Sequence, residues 1–292
     1  MKKSIRENLT GYGFLLPNIT GFLTFVFLPV FASMVLSFFE WDIFNPPEFT
    51  GISNYVALIK DTYFWKFLGN TLFFMISIPL GMAVSLLMAV QMNQKLRGIV
   101  FFRTVYFLPV VSSMVACALL WRWIYNPDFG LLNGFLKMLG VVNPPTWLSS
   151  TAYAKPAIIL MLIWKGAGYN MLLYLAALQS IPDSVYEAAG VDGAGTFHKF
   201  LFITVPLLGP THFFILIMSV IGVFQMFGEI FIMTGGGPAG ATTTIIYYIY
   251  NNAFQWFKMG YASAISWVLF AMMFAVTLIQ WKYFSGMRES VY

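Results

Sequence analysis

Six apolar stretches, at about 13–39, 67–91, 105–125, 155–179, 209–233 and 261–284, constrain this chain more than any other feature. A helix that crosses a bilayer needs roughly 20 consecutive, mostly apolar residues, and within hydrocarbon its backbone polar groups must be satisfied internally. All six stretches meet that length. The sequence therefore predicts an all-α fold, a polytopic membrane helical bundle of six transmembrane helices. Composition agrees: 9% of the residues are charged and 59% are hydrophobic, against about 25% charged in soluble domains. The first stretch follows Lys2, Lys3 and Arg6 as a secretory leader would. Its apolar region is too long for one and no small-x-small cleavage site follows, so it reads as an uncleaved span.

Charge placement predicts orientation. An even number of spans puts both termini on one side. With the N-terminus inside, the cytoplasmic segments hold Lys2, Lys3, Arg6, Lys95, Arg97, Arg103, Lys199, Lys282 and Arg288. The outer segments then hold Lys60, Lys66, Arg122, Lys137, Lys155 and Lys258. The bias is modest, but Lys95, Arg97 and Arg103 crowd one short connection, where the positive-inside rule is most reliable. The net charge of +5 is thus a topology signal, and no nucleic-acid partner is expected. The outer segments become 40–66, 126–154 and 234–260, with a short interfacial helix expected at Leu131–Leu139. Pro17, Pro29, Pro79, Pro109 and Gly166-Ala167-Gly168 are helix breakers inside spans.

The longest polar interruption on the inner side runs from Ile181 to Thr196. Ser184 and Glu187 have the S-x-x-E spacing of a capping box, and Pro182 separates a short helix here from the fourth span. Val185, Ala188 and Ala189 fall on one face, Gly193 and Gly195 supply a turn, and His198 and Lys199 lead back toward the membrane. Pro206 and Pro210 open the fifth span. A short, small-sided helix of this kind suits docking into a cleft of another protein, and it equally suits an ordinary interfacial loop.

The run Glu187-Ala188-Ala189-x-x-Asp192-Gly193-Ala194, followed by Ile203-x-x-Pro206-Leu207-Leu208, resembles the EAA motif of permeases in binding-protein-dependent ABC importers. Ala177-Leu178-Gln179-Ser180-Ile181-Pro182, Phe107-Leu108-Pro109, Asn126-Pro127-Asp128-x-Gly130-Leu131-Leu132-Asn133 and Gly236-Gly237-Pro238-x-Gly240-x-Thr242-Thr243 are similar to the sugar branch, the maltose-type first permease. The resemblance covers nearly the whole chain. It implies the type I ABC importer transmembrane fold, in the inner membrane of a bacterial or archaeal cell with both termini cytoplasmic. It divides the chain into an N-terminal tip, first helix and outer loop at 1–66, a core at 67–284 carrying the coupling loop 181–210, and a tail at 285–292. The implied partners are a second homologous permease, two cytoplasmic ATPases, an extracellular solute-binding protein, membrane lipid and a carbohydrate substrate. By position, Tyr186, Glu187, Ala188, Ala189, Gly190, Asp192 and Gly193 carry the coupling role. The chain is then no enzyme and needs no cofactor of its own, since ATP and Mg bind the partner ATPases. Six spans and no large outer domain depart from the eight-span maltose permease, so contacts made through that domain do not transfer.

Ionisable residues inside spans are costly and mark functional positions. Lys165 lies ten residues into the fourth stretch, near mid-bilayer at 1.5 Å per residue. Glu229 lies about twenty residues into the fifth, near the outer surface, and the difference in depth argues against a tight pair. Trp164, Gly166, Tyr169 and Asn170 surround Lys165, and Ser219 and Gln225 are polar positions in the fifth stretch. Aromatic faces with hydrogen-bonding groups suit sugars, and by resemblance Gly166, Tyr169 and Ser219 fall at sugar-contacting positions. Packing roles for Trp164, Tyr169 and Gly166 remain open. Relatives in the family carry a neutral residue where Lys165 stands. The alternative cargo is therefore glycerol-phosphate or another polar nutrient, for which Lys165 favours an anionic group.

Other patterns carry no chemistry. Gly235–Gly240 satisfies G-x-G-x-x-G but follows an apolar span and contains Pro238, and Ala241 stands where a phosphate-binding loop needs Lys. No Walker A sequence occurs, so another chain hydrolyses ATP. His198 and His212 have no ligand-spaced partners, and the single cysteine, Cys117, excludes a disulfide framework. No catalytic or metal site is expected.

Overall fold

The computed structural model describes residues 2–94 and 97–288. Lys95, the side chains of Lys2, Lys3, Arg6 and Arg288, and the part of the expected tail from 289 onward lie outside the described residues. Among the described residues, four helices are long and apolar enough to cross a membrane: α1 (Thr10–Leu36), α3 (Thr62–Met92), α7 (Ala154–Gln179) and α13 (Met259–Phe284). Two further spans are each a bent pair. The helices α4 (Ile99–Val111) and α5 (Met114–Ile124) meet at 100°, and α9 (Thr196–Leu207) and α10 (Gly209–Phe224) meet at 64°. Six spans are reached by counting each pair as one. Shorter helices are α2 (Ser53–Lys60), α6 (Leu131–Met138), α8 (Asp183–Val191), α11 (Gly228–Met233) and α12 (Ile245–Tyr250).

The breaks have local causes. Pro109 sits near the end of α4, Ser112 is extended, and the Ser113 hydroxyl caps α5 by accepting from the Ala116 amide at 3.1 Å. Two serines and a cap thus end one helix and start the next. Pro210 stands in the first turn of α10, where a missing N–H costs nothing. Pro206 stands in the last turn of α9, just after its π-helical turn Phe200–Thr204, and Leu208 is the corner between them. The fifth stretch was expected to run unbroken over 209–233, but α10 stops at Phe224 and the chain resumes helix at Gly228. By contrast, α7 is one continuous helix through Gly166-Ala167-Gly168. Those glycines do not break it, because neighbouring helices rather than propensity decide helicity here.

By compactness the chain divides into two units. The first comprises residues 1–64 and 248–272. Its two-residue strands Phe39–Glu40 and Glu48–Phe49 pair antiparallel. The Asn54 amide donates to the carbonyls of Ser37 and Phe39 at 3.0 and 2.9 Å, satisfying backbone that the short ladder leaves over. Asp61 accepts the hydroxyls of Tyr248 and Tyr261 at 2.6 and 2.7 Å. No residue of the 18-residue apolar window of α1 is buried within the chain.

The second unit comprises residues 65–247 and 273–292. Its core is the pairing of α3 with α7, where Ala89, Met171 and Tyr174 are fully buried beside Leu208 and Ile215. Gly168 lets α4 lie against α7: a Cβ there would meet the Tyr106 carbonyl and Val110. The Tyr125 hydroxyl donates to Ala157 O at 2.8 Å, tying α5 to the start of α7. The glycine-rich loop is a folded turn, with Gly235, Gly236, Ala239 and Gly240 at positive φ. Lys66 holds it through Ala239 O at 2.9 Å, and Asn70 through the Gly240 and Thr243 carbonyls, both at 2.9 Å.

Candidate functional site: an open helix and an intramembrane cavity

Two places in the second unit gather the residues singled out above. The first is α8. It starts at Asp183, one residue before the expected capping box, because extended Pro182 (φ −62°, ψ 136°) takes the capping position and no side chain bonds there. Ser184 is thereby drawn into the first turn, while Asp183 sets a negative charge against the N-terminal amides, a favourable placement. The other end closes as a Schellman turn. Gly193 at φ +80° follows Asp192, its amide reaches Gly190 O at 3.1 Å, and the Ala194 amide reaches Ala189 O at 2.9 Å.

No residue of α8 is buried. Glu187, Ala188, Gly190, Asp192 and Gly193 are exposed, and Tyr186 and Ala189 half-buried. On the expected Val185–Ala188–Ala189 face, Val185 and Ala188 are exposed and Ala189 is half-buried. One side of the helix is nevertheless fastened. Lys199 Nζ donates to Tyr186 O at 2.8 Å, and the Tyr186 hydroxyl lies 3.0 Å from Thr204 Oγ1. Gly190 makes room for the lysine, since a Cβ there would stand 3.0 Å from Nζ. In the sequence Lys199 reads only as an inner-side charge leading back toward the membrane and Thr204 carries no signal, because only the fold brings α9 back across α8.

The second place is a cavity of about 260 Å³ among α3, α7, α10 and α11. Lys165, Gly166, Asn170, Ser219 and Glu229 line it, as do Ser77 and Gly81 of α3 and the apolar Ile78, Leu162 and Met226. Trp164, Tyr169 and Gln225 are not on its wall. Trp164 packs edge-on to Trp121, ring centres 5.6 Å apart, Tyr169 is 48% exposed, and Gln225 ends α10. Counting residues along one straight helix put Glu229 far from Lys165. The break at Gln225–Phe227 interrupts that count, and both residues face the same cavity. Among the described residues they form no ion pair. The contribution of α3 was missed, although Ser77, Pro79 and Gly81 together in an apolar run were a readable signal.

A few convergent polar groups on apolar walls make a typical small-molecule site. Here an amide, two hydroxyls, an ammonium and a carboxylate are set among aliphatic side chains. Among the described residues no group of three His, Cys, Asp or Glu side chains is placed to hold a metal ion. His212 instead bonds the Tyr174 hydroxyl at 2.8 Å and lies 3.2 Å from Val205 O, bracing the corner at Leu208.

Comparison with known proteins adds independent findings. Residues 77–282 match the family described as "Binding-protein-dependent transport system inner membrane component". The probable ABC transporter permease YurN of Bacillus subtilis is 41% identical over 289 residues, which cover 97% of this chain and 99% of that protein. The lactose transport system permease LacF of Rhizobium radiobacter is 38% identical, covering 94% and 93%. Among solved structures, a bacterial alginate ABC transporter in complex with an alginate pentasaccharide-bound periplasmic protein contains a chain that superposes with a TM-score of 0.84. It is 26% identical and covers 96% of this chain and 95% of that one. This chain belongs to the inner-membrane permease components of binding-protein-dependent ABC transport systems.

Proposed function

We propose that this permease forms half of the pathway by which a carbohydrate, an oligosaccharide handed over by an extracellular solute-binding protein, enters the cell. A second, homologous permease supplies the other half. Two separate cytoplasmic ATPases bind ATP and Mg and drive the cycle, and this chain holds no cofactor. The observation that carries the reading is the cavity on which Asn170, Ser219 and Glu229 converge, since hydroxyl-rich solutes are recognised by such mixed donors and acceptors. The lactose and alginate relatives support a saccharide as cargo.

The open face of α8, with exposed Glu187 and Ala188, is the surface offered to the ATPase. Small side chains permit close approach, and the carboxylate orients the contact. Both chain termini are cytoplasmic in this reading, which puts α8 on the same side as the ATPases. Reconstitution tests it. Proteoliposomes holding both permeases, the ATPases and the binding protein should take up radiolabelled sugar only with ATP inside the compartment facing the ATPases. Uptake by the permeases alone would overturn it.

A further inference from the structure

Lys165 and Glu229 are the two ionisable residues of the cavity wall, and their surroundings differ in kind. Lys165 Nζ donates to Pro109 O at 3.3 Å and to Ser112 O at 3.1 Å, and lies 4.0 Å from Cys117 Sγ. An ammonium has three N–H donors, so these three partners occupy all of them. The two carbonyls belong to the end of α4, where the chain turns through 100° into α5. Helix ends leave their last carbonyls without partners, and a cation there also opposes the negative end of the helix dipole. The lysine is therefore consumed by the bend. Glu229 is placed otherwise: among the described residues nothing hydrogen-bonds to its side chain. Its helix α11 is seated on α5 by Gly228, where any Cβ would run into the Met114 side-chain methyl. The ammonium on the cavity wall is thus held by the carbonyls of the bend, whereas the carboxylate on the same wall has no such partner.

We propose that Lys165 is a positioning residue that clamps the α4–α5 bend, and that Glu229 is the substrate-facing charge of the cavity. The cavity then accepts uncharged saccharides and amino sugars and rejects anionic ones. Resting on the cavity being the pathway, this replaces the expectation that Lys165 favours an anionic group. A carboxylate accepts two sugar hydroxyls or an ammonium, whereas a second carboxylate or a phosphate beside it meets like-charge repulsion in a site of low polarity.

The test needs no knowledge of the natural substrate. Ser219→Cys on the cavity wall, in a Cys117→Ser background that keeps a polar acceptor beside Lys165, is labelled in the assembled importer in nanodiscs. A cationic and an anionic methanethiosulfonate of similar size are compared, each rate normalised to that with a free thiol in solution. Glu229 should make the cationic reagent react about tenfold faster than the anionic one, the scale of a unit charge across a partly screened cavity. Glu229→Gln should bring the ratio to near one, and Lys165→Met, where it assembles, should leave it above one. A ratio favouring the anionic reagent, or one unchanged by Glu229→Gln, overturns the proposal while leaving the cavity as pathway. The parent and Glu229→Gln proteins decide this even if Lys165→Met does not fold. Failure of both reagents to label the cysteine would instead show the cavity to be closed, and the pathway reading would fall with it.

Discussion

Replacing Lys199 with Met removes one hydrogen bond and little else, because methionine keeps most of the aliphatic stem. The bond lost is the 2.8 Å contact from Nζ to Tyr186 O, which ties α9 across the middle of α8. Hydrogen bonds to charged groups contribute roughly 1.5–3 kcal/mol. Lys199 is half-exposed, so water competes and the lower end applies, about 1.5 kcal/mol, roughly a tenfold change in equilibrium. No residue of α8 is buried, and Tyr186 keeps only its 3.0 Å contact with Thr204. Detachment of α8 from α9 should therefore become about tenfold more frequent. Hydrogen exchange of amides in residues 187–191 should rise by that factor in the assembled importer, with exchange in α7 unchanged. If α8 transmits force, a looser anchorage lets the ATPase move the helix without moving the bundle. Sugar taken up per ATP hydrolysed should then fall, while basal hydrolysis persists. Unchanged exchange across 187–191 would refute the anchoring argument. Faster exchange with an unchanged uptake-to-ATP ratio would refute the link from anchorage to coupling.

Reversing the exposed charge of α8 with Glu187→Lys should abolish coupled uptake; undiminished substrate-stimulated ATPase activity in that variant would count against α8 as the docking surface. Gly168→Ala should cost about 1–3 kcal/mol through overpacking, because its Cβ meets the Tyr106 backbone, whereas Gly166→Ala has no neighbour within 4 Å and should leave the thermal midpoint nearly unchanged. Equal midpoints for the two variants would contradict the packing account. The Asp61 site makes stability depend on pH in two windows. Burial pushes its carboxyl up, but the hydroxyls of Tyr248 and Tyr261 and nearby amides outweigh that and hold it below the usual range. Its contribution is therefore present above the ordinary carboxylate range and is lost as acid titrates it through the lowered value. Tyr248 is raised to about 12 by burial and then by its bond to Asp61, so its contribution is complete below pH ~10 and is lost as pH climbs toward 12. Thermal melts of Tyr248→Phe across that alkaline range should show a smaller decline than the parent; identical declines would rule the tyrosine out.

How much was legible depended on how local the cause was. The α6 helix was placed within a residue, because Gly130 and the Leu131–Leu132 run start it within their own span of sequence. The turn at Gly193 was legible because only a residue tolerating φ +80° fits there. The α8 start lies two residues early because Pro182, not Ser184, takes the cap. The cavity was only partly legible: polar residues within spans named Lys165, Asn170, Ser219 and Glu229, but nothing in linear order separates them from Tyr169 and Gln225, which do not line it.

Sequence alone determined the class of molecule, since runs of twenty apolar residues with few charges admit one solvent and one secondary structure. It also located the short helix between the fourth and fifth stretches, because a polar interruption with its own turn residues is a local signal. Tertiary structure decided what each intramembrane charge is for. Lys165 and Glu229 look alike as ionisable residues in apolar stretches, and their roles diverge only when a 100° bend brings two orphaned carbonyls to the lysine and leaves the carboxylate facing the cavity. Hydrogen-bond partners more than fifty positions away along the chain are set by how helices bend and pack, and no periodicity or composition encodes them.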